Sequence, residues 1–397
     1  IQFASNALEQ TKGLSDFLVN MAPALRRPLR IGTDCSGMET PVLALRALGV
    51  QHEHVFSCDT CPNVKKQIFA NFDVKAKHFV WFDDLMKRDN NTAPEVDLYV
   101  AGFPCQPYSA AGKRKGMKDK RAKVFHGCAR YLEEKMPRVF LLENVSKMNS
   151  SKTLGAFKQI CRRLKTLADS GYHVEHHVMK TQEHGVPQSR SRIYFIGLRK
   201  DIVPKGYKGF NWPEKLEEVS VDPFLDRCKK RPNEKDLPNR TNTTAFSCVK
   251  EALKRLKKNG VDPFKKTYVI DCDSSSGFSS AMRDKVPCMT ASRGSGHWVT
   301  SRGRRMTVQE MLRFQGMDEN KIKQVVSNNI LGTQIGNAMS QNVVERILVR
   351  LLPLSGLVPP GTKLTDRWVK KVKNTKKADK RMKKTSLKAK GHKRSKN

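Results

Sequence analysis

The sequence lacks several features that would assign it to a broad class of protein. No apolar run approaches the roughly 18–20 residues needed to span a bilayer, so we expect no membrane-spanning helix. The N-terminus has no basic start followed by an apolar stretch, so it does not resemble a secretory signal peptide. No internal repeat is present, which argues against a solenoid or a propeller. Acidic residues are scarce, with 38 Asp and Glu against 75 Lys and Arg.

Paired cysteines are also scarce. The ten cysteines are scattered, and only Cys58 and Cys61 form a Cys-x-x-Cys pair. No second pair completes a zinc site, so we expect no bound metal. We interpret the cysteines as reduced thiols of a nuclear or cytoplasmic protein that is not secreted.

The excess of positive charge indicates a polyanionic partner. The net charge is +37, and nucleic acid is the first candidate for a partner of such a chain. Residues 363–397 hold 16 Lys and Arg against two Asp, a net charge of +14, which leaves +23 on the rest. We expect this lysine-rich end to be disordered. It is typical of a nuclear-targeting or nonspecific DNA-binding segment, or of a solubilising extension.

Apolar and helical segments alternate along the first half of the chain. We predict strands at Leu29–Gly32, His54–Cys58, Leu98–Ala101, Val139–Leu142 and Arg192–Leu198. We predict helices at Pro41–Leu48, Asn63–Asn71, Phe125–Glu134 and Leu154–Ser170. This order is typical of an α/β fold, with a mostly parallel sheet between helices. Ligands of such folds bind at the carboxyl ends of the strands.

Composition divides the chain into five parts. Residues 1–28 are predicted to form a helical lead-in, and residues 29–200 the α/β domain. Residues 201–304 are rich in Lys, Pro, Asn and Thr with weak periodicity, so we predict a smaller, loop-rich domain. Helical periodicity returns in residues 305–355, which are predicted to complete the α/β domain, and residues 356–397 are predicted to form a basic, disordered tail.

Two of the predicted strands lead into side chains that can do chemistry. Cys105 follows the strand at Leu98–Ala101 on a loop shaped by Pro104, where a thiol can act as a nucleophile. A cysteine is more often a small core residue, so this position alone decides nothing. Glu143 follows the strand at Val139–Leu142, where a carboxyl can act as a general acid. Helix capping by the following residues is the alternative.

Two arginines stand at the entrance to the last predicted strand. Arg190 and Arg192 are two positions apart, so alternation places both on one face. Two guanidiniums on one face can bind a phosphate or a base carbonyl. A solvated strand edge, protected against aggregation, is the alternative interpretation.

The turn between the first strand and the first helix is the candidate cofactor site. It is built mainly from small residues around Gly37, which let a cofactor approach the backbone. Asp59 follows the second strand, where an acid can hold ribose hydroxyls. Asp84 follows a short apolar stretch, where it can meet an adenine amino group. Helix capping is the alternative role for Asp59.

Taken together, the segments from Leu29 to Leu352 resemble the C5-cytosine-specific DNA methyltransferases. Six motifs in family order carry the resemblance. They are Pro104-Cys105-Gln106 with Ser109 and Gly112; Gly116, Asp119 and Arg121; Glu143-Asn144-Val145; Gln188-x-Arg190-x-Arg192; Arg305, Thr307, Glu310, Arg313, Gln315 and Gly316; and Gly336-Asn337-Ala338 with Val343.

The resemblance implies a Rossmann-like, S-adenosylmethionine-dependent methyltransferase domain, with residues 201–304 as the target-recognition domain. It implies that Cys105 attacks C6 of a flipped cytosine, that Glu143 holds N3 and the amine, and that Arg192 holds O2 with support from Arg190. The implied cofactor-binding residues are Cys35, Ser36, Gly37, Met38, Asp59, Asp84, Pro104 and Asn337. The implied substrate-binding residues are Gln106, Ser109, Arg121, Asn144 and Gln188. DNA is the implied partner.

The cofactor turn departs from the family pattern, which is usually Asp-x-Phe-x-Gly-x-Gly-Gly. By count, Thr33 stands at the Asp position, Cys35 at the aromatic position, and Glu39 and Thr40 at two glycine positions. The ribose-binding Glu of the family aligns with Ser57. We hypothesise that Asp59 and Asp84 hold the nucleoside and that Gly37 maintains the turn.

Two other functions compete with DNA methylation. One branch of the family methylates a transfer RNA and carries a Cys-Phe-Thr tripeptide, which this sequence lacks. The other is a non-catalytic DNA- or chromatin-binding protein that retains the fold, and only the altered cofactor turn favours it. We expect a monomer acting on DNA. Because the sequence begins at Ile1 rather than Met, we also expect either a longer parent chain, which could carry N-terminal regulatory domains, or a processed chain.

Overall fold

The computed structural model describes residues 25–104, 123–151, 153–228, 230–274 and 280–369. The predicted N-terminal helix lies almost entirely outside these ranges. The strands are β1 (Leu29–Asp34), β2 (His52–Cys58), β3 (Val80–Phe82), β4 (Leu98–Ala101), β5 (Val139–Val145), β6 (Tyr172–Lys180), β7 (Gln188–Ser189), β8 (Ser191–Arg199), β9 (Tyr268–Ile270), β10 (Ala281–Arg283), β11 (Val286–Pro287), β12 (Trp298–Val299) and β13 (Arg304–Arg305). The helices are α1 (Thr40–Ala47), α2 (Pro62–Asn71), α3 (Lys123–Lys135), α4 (Leu154–Lys165), α5 (Thr243–Lys258), α6 (Val308–Phe314), α7 (Asn328–Asn337) and α8 (Gln341–Leu354).

A seven-stranded sheet in the order β3-β2-β1-β4-β5-β8-β6 forms the centre of the molecule. The first five strands are parallel, and β8 is antiparallel to both β5 and β6. The predicted α/β, Rossmann-like fold is therefore confirmed. Because β8 runs against β5, the start of β8 lies at the carboxyl edge of the parallel strands.

Both faces of the sheet are covered, as the strand period of two requires. Leu98 and Val100 of β4 pack into a core together with residues of α1 and α8. Their neighbours Tyr99 and Ala101 pack into a second core with residues of α3 and α4. A sheet covered on both sides explains why its strands read as nearly continuous apolar runs.

The predicted smaller domain contains a second sheet, in the order β10-β9-β12-β13. Helix α5 packs against it through Ala245, Cys248, Val249, Ala252 and Leu253. This helix was not predicted, because lysines interrupt its apolar stripe at helical spacing. The predicted boundary between residues 304 and 305 divides β13.

Three further expectations differ from the structure. Strands β3 and β6 were not predicted. Helix α4 ends at Lys165 rather than Ser170, because residues 168–170 have positive φ angles. The predicted disorder from residue 356 is wrong as far as Val369, since Leu357, Val358 and Trp368 are buried.

Among the described ranges, no helix has the length and apolar character needed to cross a membrane. Within the same ranges, no group of three or more His, Cys, Asp or Glu side chains is arranged to hold a metal ion.

Candidate active site

Glu143 and Arg192 form an ion pair at the carboxyl edge of the central sheet. Glu143 Oε1 lies 3.0 Å from Arg192 Nε, and the two side chains are 10% and 14% exposed. They come together because β5 and β8 are antiparallel neighbours, with Val145 opposite Arg192. Burial raises the pKa of Glu143, while the charges of Arg192 and Arg190 oppose that shift. The carboxyl group is therefore suited to retaining a proton and donating it to a polar substrate atom.

The strand that leads to Cys105 ends beside this pair. A Cβ added to Gly102 would lie 3.7 Å from Glu143 Oε2 and 3.1 Å from Met339 Cε, so the chain at Gly102 passes directly beside the Glu143 carboxyl group. The amide of Asn144 donates to the Phe103 carbonyl at 2.9 Å, which fixes the chain immediately before Pro104. Cys105 itself lies outside the described residues, as do the predicted DNA contacts Gln106, Ser109 and Arg121.

Arg190 has a different environment from Arg192. Its side chain is fully buried, and its guanidinium donates to the carbonyls of Met289 at 2.8 Å, Gly336 at 3.1 Å and Ala338 at 2.6 Å. Arg190 therefore ties the start of β8 to β11 and to the end of α7. Arg190 thus holds the backbone around the site in place. Its described hydrogen bonds to oxygen atoms go to these carbonyls and not to Glu143.

Gln188 is also buried and engaged by protein groups. Its Nε2 donates to the Phe314 carbonyl and to Gln315 Oε1, both at 2.7 Å, and its Oε1 accepts from the Met289 amide at 3.2 Å. The Gln188 side chain thus points from β7 toward the end of α6 in the interior, and not toward the open edge of the sheet.

The predicted cofactor turn lies at the carboxyl end of β1 and is hydrogen-bonded to the end of β2. The Gly37 amide, at a φ of 52°, donates to Asp59 Oδ2 at 3.1 Å. Ser36 Oγ donates to the Cys58 carbonyl and accepts from the Cys58 amide. The turn thus presents its backbone beside Asp59, whose pKa is raised by burial. An acid beside a glycine turn fits a ligand with ribose hydroxyls.

The other predicted cofactor residues differ in how deeply they are buried. Cys35 has a positive φ and is partly buried, and Met38 is buried in a core. Asp84 is half-buried, and its Oδ1 accepts from the Met86 amide at 2.9 Å. Pro104 is half-buried at the end of the described segment, and Asn337 is exposed at the end of α7.

Glu39 is a buried carboxylate that was not among the predicted site residues. Glu39 Oε1 accepts hydrogen bonds from Thr33 Oγ1 at 2.7 Å and from Ser57 Oγ at 2.6 Å. Ser57 is therefore turned inward, and Asp59 is the acid at the open end of β2. The departure of Glu39 from the family's glycine was the signal that could have identified it.

Asp34 forms a second buried network on the other face of β1. Its carboxylate accepts from Arg88 at 2.6 and 2.8 Å and from the Tyr99 hydroxyl at 2.6 Å. Asp34 is thus committed to the core and does not line the cofactor turn.

The sequence of this chain is similar to those of known DNA methyltransferases. The family model for C-5 cytosine-specific DNA methylase matches residues 35–352. The type II methyltransferase M.NgoBI of Neisseria gonorrhoeae is 31% identical over 297 residues, covering 74% of this chain and 84% of that protein. The type II methyltransferase M.HaeII of Haemophilus aegyptius is 30% identical over 313 residues, covering 77% and 87%.

Solved structures share the fold. The Dnmt2 methyltransferase of S. pombe superposes with a TM-score of 0.54 at 20% identity, covering 82% of this chain and 98% of that chain. The methyltransferase EhMeth of Entamoeba histolytica gives a TM-score of 0.58 at 18% identity, with the same coverage.

Proposed function

Because the chain belongs to the C-5 cytosine-specific DNA methylases, we propose that it methylates cytosine through a covalent bond between Cys105 and C6 of a flipped base. The chain is a DNA cytosine-5 methyltransferase, and its family uses S-adenosylmethionine as methyl donor. One observation carries the finer proposal: the buried pair of Glu143 and Arg192 lies beside the strand end that leads to Cys105.

In this proposal Glu143 activates the ring. Its raised pKa favours the protonated carboxyl, which donates to N3 and draws electron density from C6. Arg192 orients that carboxyl and binds the O2 carbonyl. Arg190 positions Arg192 by holding the start of β8 against three carbonyls.

Cys105 then performs the covalent step. Its thiolate adds to C6, and the electron pair moves to C5, which becomes nucleophilic. S-adenosylmethionine would supply the methyl group that C5 takes up and would leave as S-adenosylhomocysteine. Loss of the C5 proton to a solvent base re-forms the C5–C6 double bond and releases Cys105 as a thiolate, while the N3 proton returns to Glu143. Since C6 lies inside the duplex stack, the base has to flip out, at a cost of a few kcal/mol.

The nucleoside of the donor would lie on the turn at Gly37, with Asp59 at its ribose and Asp84 at its adenine. The open carboxyl edge and the half-buried Asp59 support this placement. The other proposed donor contacts are Cys35, Ser36, Met38, Pro104 and Asn337, and the proposed DNA contacts are Gln106, Ser109 and Arg121. The sequence also predicted Asn144 and Gln188 as DNA contacts, but both are buried and hydrogen-bonded within the protein, so we propose that they support the site.

The test is transfer of labelled methyl from S-adenosylmethionine to unmethylated duplex DNA. We expect the native chain to transfer label and Cys105→Ala to transfer none, while Cys61→Ala, which alters an exposed thiol, behaves as native. DNA with 5-fluorocytosine at the target should form a covalent adduct with the native chain only, because fluorine cannot leave C5 as the proton does.

Other results would change the proposal. Label transferred by Cys105→Ala would exclude the covalent step. Transfer to transfer RNA in preference to DNA would move the substrate to RNA. Duplex DNA binding without binding of S-adenosylmethionine would favour the non-catalytic alternative.

Location and assembly are proposed from the sequence. We infer a monomer acting on DNA, and a nuclear destination encoded by the lysine-rich residues 356–397. The relatives named above with 30% identity or more come from bacteria and lend the nuclear destination no support. A fluorescent protein fused to residues 356–397 should concentrate in nuclei, and an even distribution would refute this role.

A further inference from the structure

Three side chains beneath the cofactor turn share one carboxylate oxygen. Thr33 of β1 and Ser57 of β2 are register partners, so their side chains lie next to each other across the two strands. Both hydroxyls donate to Glu39 Oε1, and His54 Nε2 lies 3.4 Å from the same oxygen. Glu39, the residue directly before α1, is thus hydrogen-bonded to the ends of two neighbouring strands, β1 and β2.

The backbone at Glu39 shows that its contacts outweigh a conformational cost. Glu39 has a φ of 52° and ψ of 41°, a left-handed conformation that favours glycine. Its side chain is completely buried, and its Oε2 has no hydrogen-bond donor among the described residues. A buried acid at such a position persists only where the surrounding structure holds it.

The contacts of Glu39 reach the turn itself. Thr33 Oγ1 lies 2.7 Å from Ser36 Oγ, and Ser36 is hydrogen-bonded to both the amide and the carbonyl of Cys58. The Glu39 amide also donates to the Ser36 carbonyl at 2.9 Å. Glu39 therefore holds Ser36 through both its side chain and its backbone, directly before Gly37.

We propose that Glu39 is a positioning residue for the cofactor turn, and that the acid of the family pattern has moved from position 33 to position 39. The pattern has an acid at the first position and glycine at the seventh. This chain has Thr33 and Glu39 there. Asp34 does not replace the missing acid, because it is paired with Arg88 on the other face of β1. This inference rests on the proposed cofactor site.

Exchanging the two residues tests the idea through S-adenosylmethionine affinity, measured by calorimetry on the whole chain. Glu39→Gly should weaken binding about ten-fold or more, because it removes the acceptor of two hydroxyls. Thr33→Asp should also weaken binding, because it places a second carboxylate against Glu39. The double variant Thr33→Asp/Glu39→Gly should return to within about three-fold of native, a coupling that independent sites do not show.

Steady-state kinetics separate positioning from general damage. With Glu39→Gly, we expect the KM for S-adenosylmethionine to rise about ten-fold while kcat at saturation changes less than about three-fold. Asp169→Gly is the matched control, since Asp169 is an exposed acid with a φ of 52° far from the turn, and it should bind as native.

Each remaining outcome has a definite meaning. Native affinity in Glu39→Gly would overturn the positioning role. An impaired single variant that the double variant does not rescue would overturn the relocation of the acid. If Glu39→Gly does not fold, a folded double variant with near-native affinity supports the proposal, and failure of both variants overturns it. Failure of the native chain to bind the donor would instead refute the proposed cofactor site.

Discussion

Glu143 experiences two opposing effects from its surroundings. Burial favours its neutral form, and the adjacent Arg192 favours the charged form, with burial the larger of the two. The result is a carboxyl group with a raised pKa at the open edge of a sheet, and such groups occur often at functional sites.

Replacing Glu143 tests its role as proton donor. Glu143→Gln keeps the shape but removes the acidic proton, so we expect kcat to fall by about 10²–10⁴-fold. Affinity for S-adenosylmethionine should remain native, because Glu143 does not contact the turn at Gly37. Glu133→Gln, at a partly exposed acid on α3, is the control and should transfer methyl groups normally.

The same raised pKa predicts a pH dependence. In the proposed mechanism, the activating proton of Glu143 is lost as pH rises through its raised pKa, so kcat/KM should fall on the alkaline side. The folded state binds this proton more tightly than the unfolded state does, so this group's contribution to stability also decreases as pH rises. A pH profile of kcat/KM should show the alkaline fall in the native chain and not in Glu143→Gln.

Arg190 should act through structure. Arg190→Met would leave the buried carbonyls of Met289 and Gly336 without this donor, while the Ala338 carbonyl would keep its hydrogen bond from Gln315, at a cost of about 3 kcal/mol. We expect a clearly lower midpoint of thermal unfolding. A variant with native stability but no activity would instead show that Arg190 acts directly on the substrate.

At the scale of elements, α6 is held at its start by a buried acid. Thr307 and Glu310 form a reciprocal capping box, in which Thr307 Oγ1 accepts from the Glu310 amide and Glu310 Oε2 accepts from the Thr307 amide. Glu310 also accepts from the Asp226 amide and from Arg304. Glu310, one of the residues that carry the family resemblance, thus joins α6 to Arg304 of β13 in the second sheet.

Removal of the cap provides an element-scale prediction. Thr307→Ala should lower the free energy of unfolding by about 1 kcal/mol, because one amide of α6 loses its acceptor. Thr241→Ala, at an exposed threonine before α5, should change stability much less. Denaturant titration of both variants would measure the difference, and equal stabilities would show that the capping box contributes little.

At the scale of the whole molecule, positive charge is not confined to the end of the chain. Residues 370–397 hold 14 Lys and Arg against one Asp, yet a larger positive excess lies before them. We therefore expect a truncation after Val369 to bind duplex DNA still. Its logarithmic salt dependence should be shallower by about 0.9 for each phosphate contact that the tail makes. Loss of all DNA binding in the truncated chain would show that the tail, not the body, holds the substrate.

The position of several candidate site residues beside strands was predictable, because it depends on residues that are neighbours in the sequence. Cys105 and Glu143 after predicted strands, and Arg192 at the start of one, are visible in the sequence, since hydrophobic runs and the residues beside them are neighbours along the chain. The α/β fold followed from the alternation of strands and helices. Cys105, Gln106, Ser109 and Arg121 lie outside the described residues, so their roles stay predictions.

Other roles depended on contacts between distant segments. The fold class, the family resemblance and the strong positive charge follow from the sequence alone, because composition and periodicity are properties of the chain. The folded structure was needed to distinguish Arg190, which donates to distant carbonyls, from Arg192, which meets Glu143 across an antiparallel pair. It also decided that Glu39 lies beneath the cofactor turn, because its hydroxyl partners come from two strands whose register no single sequence reveals.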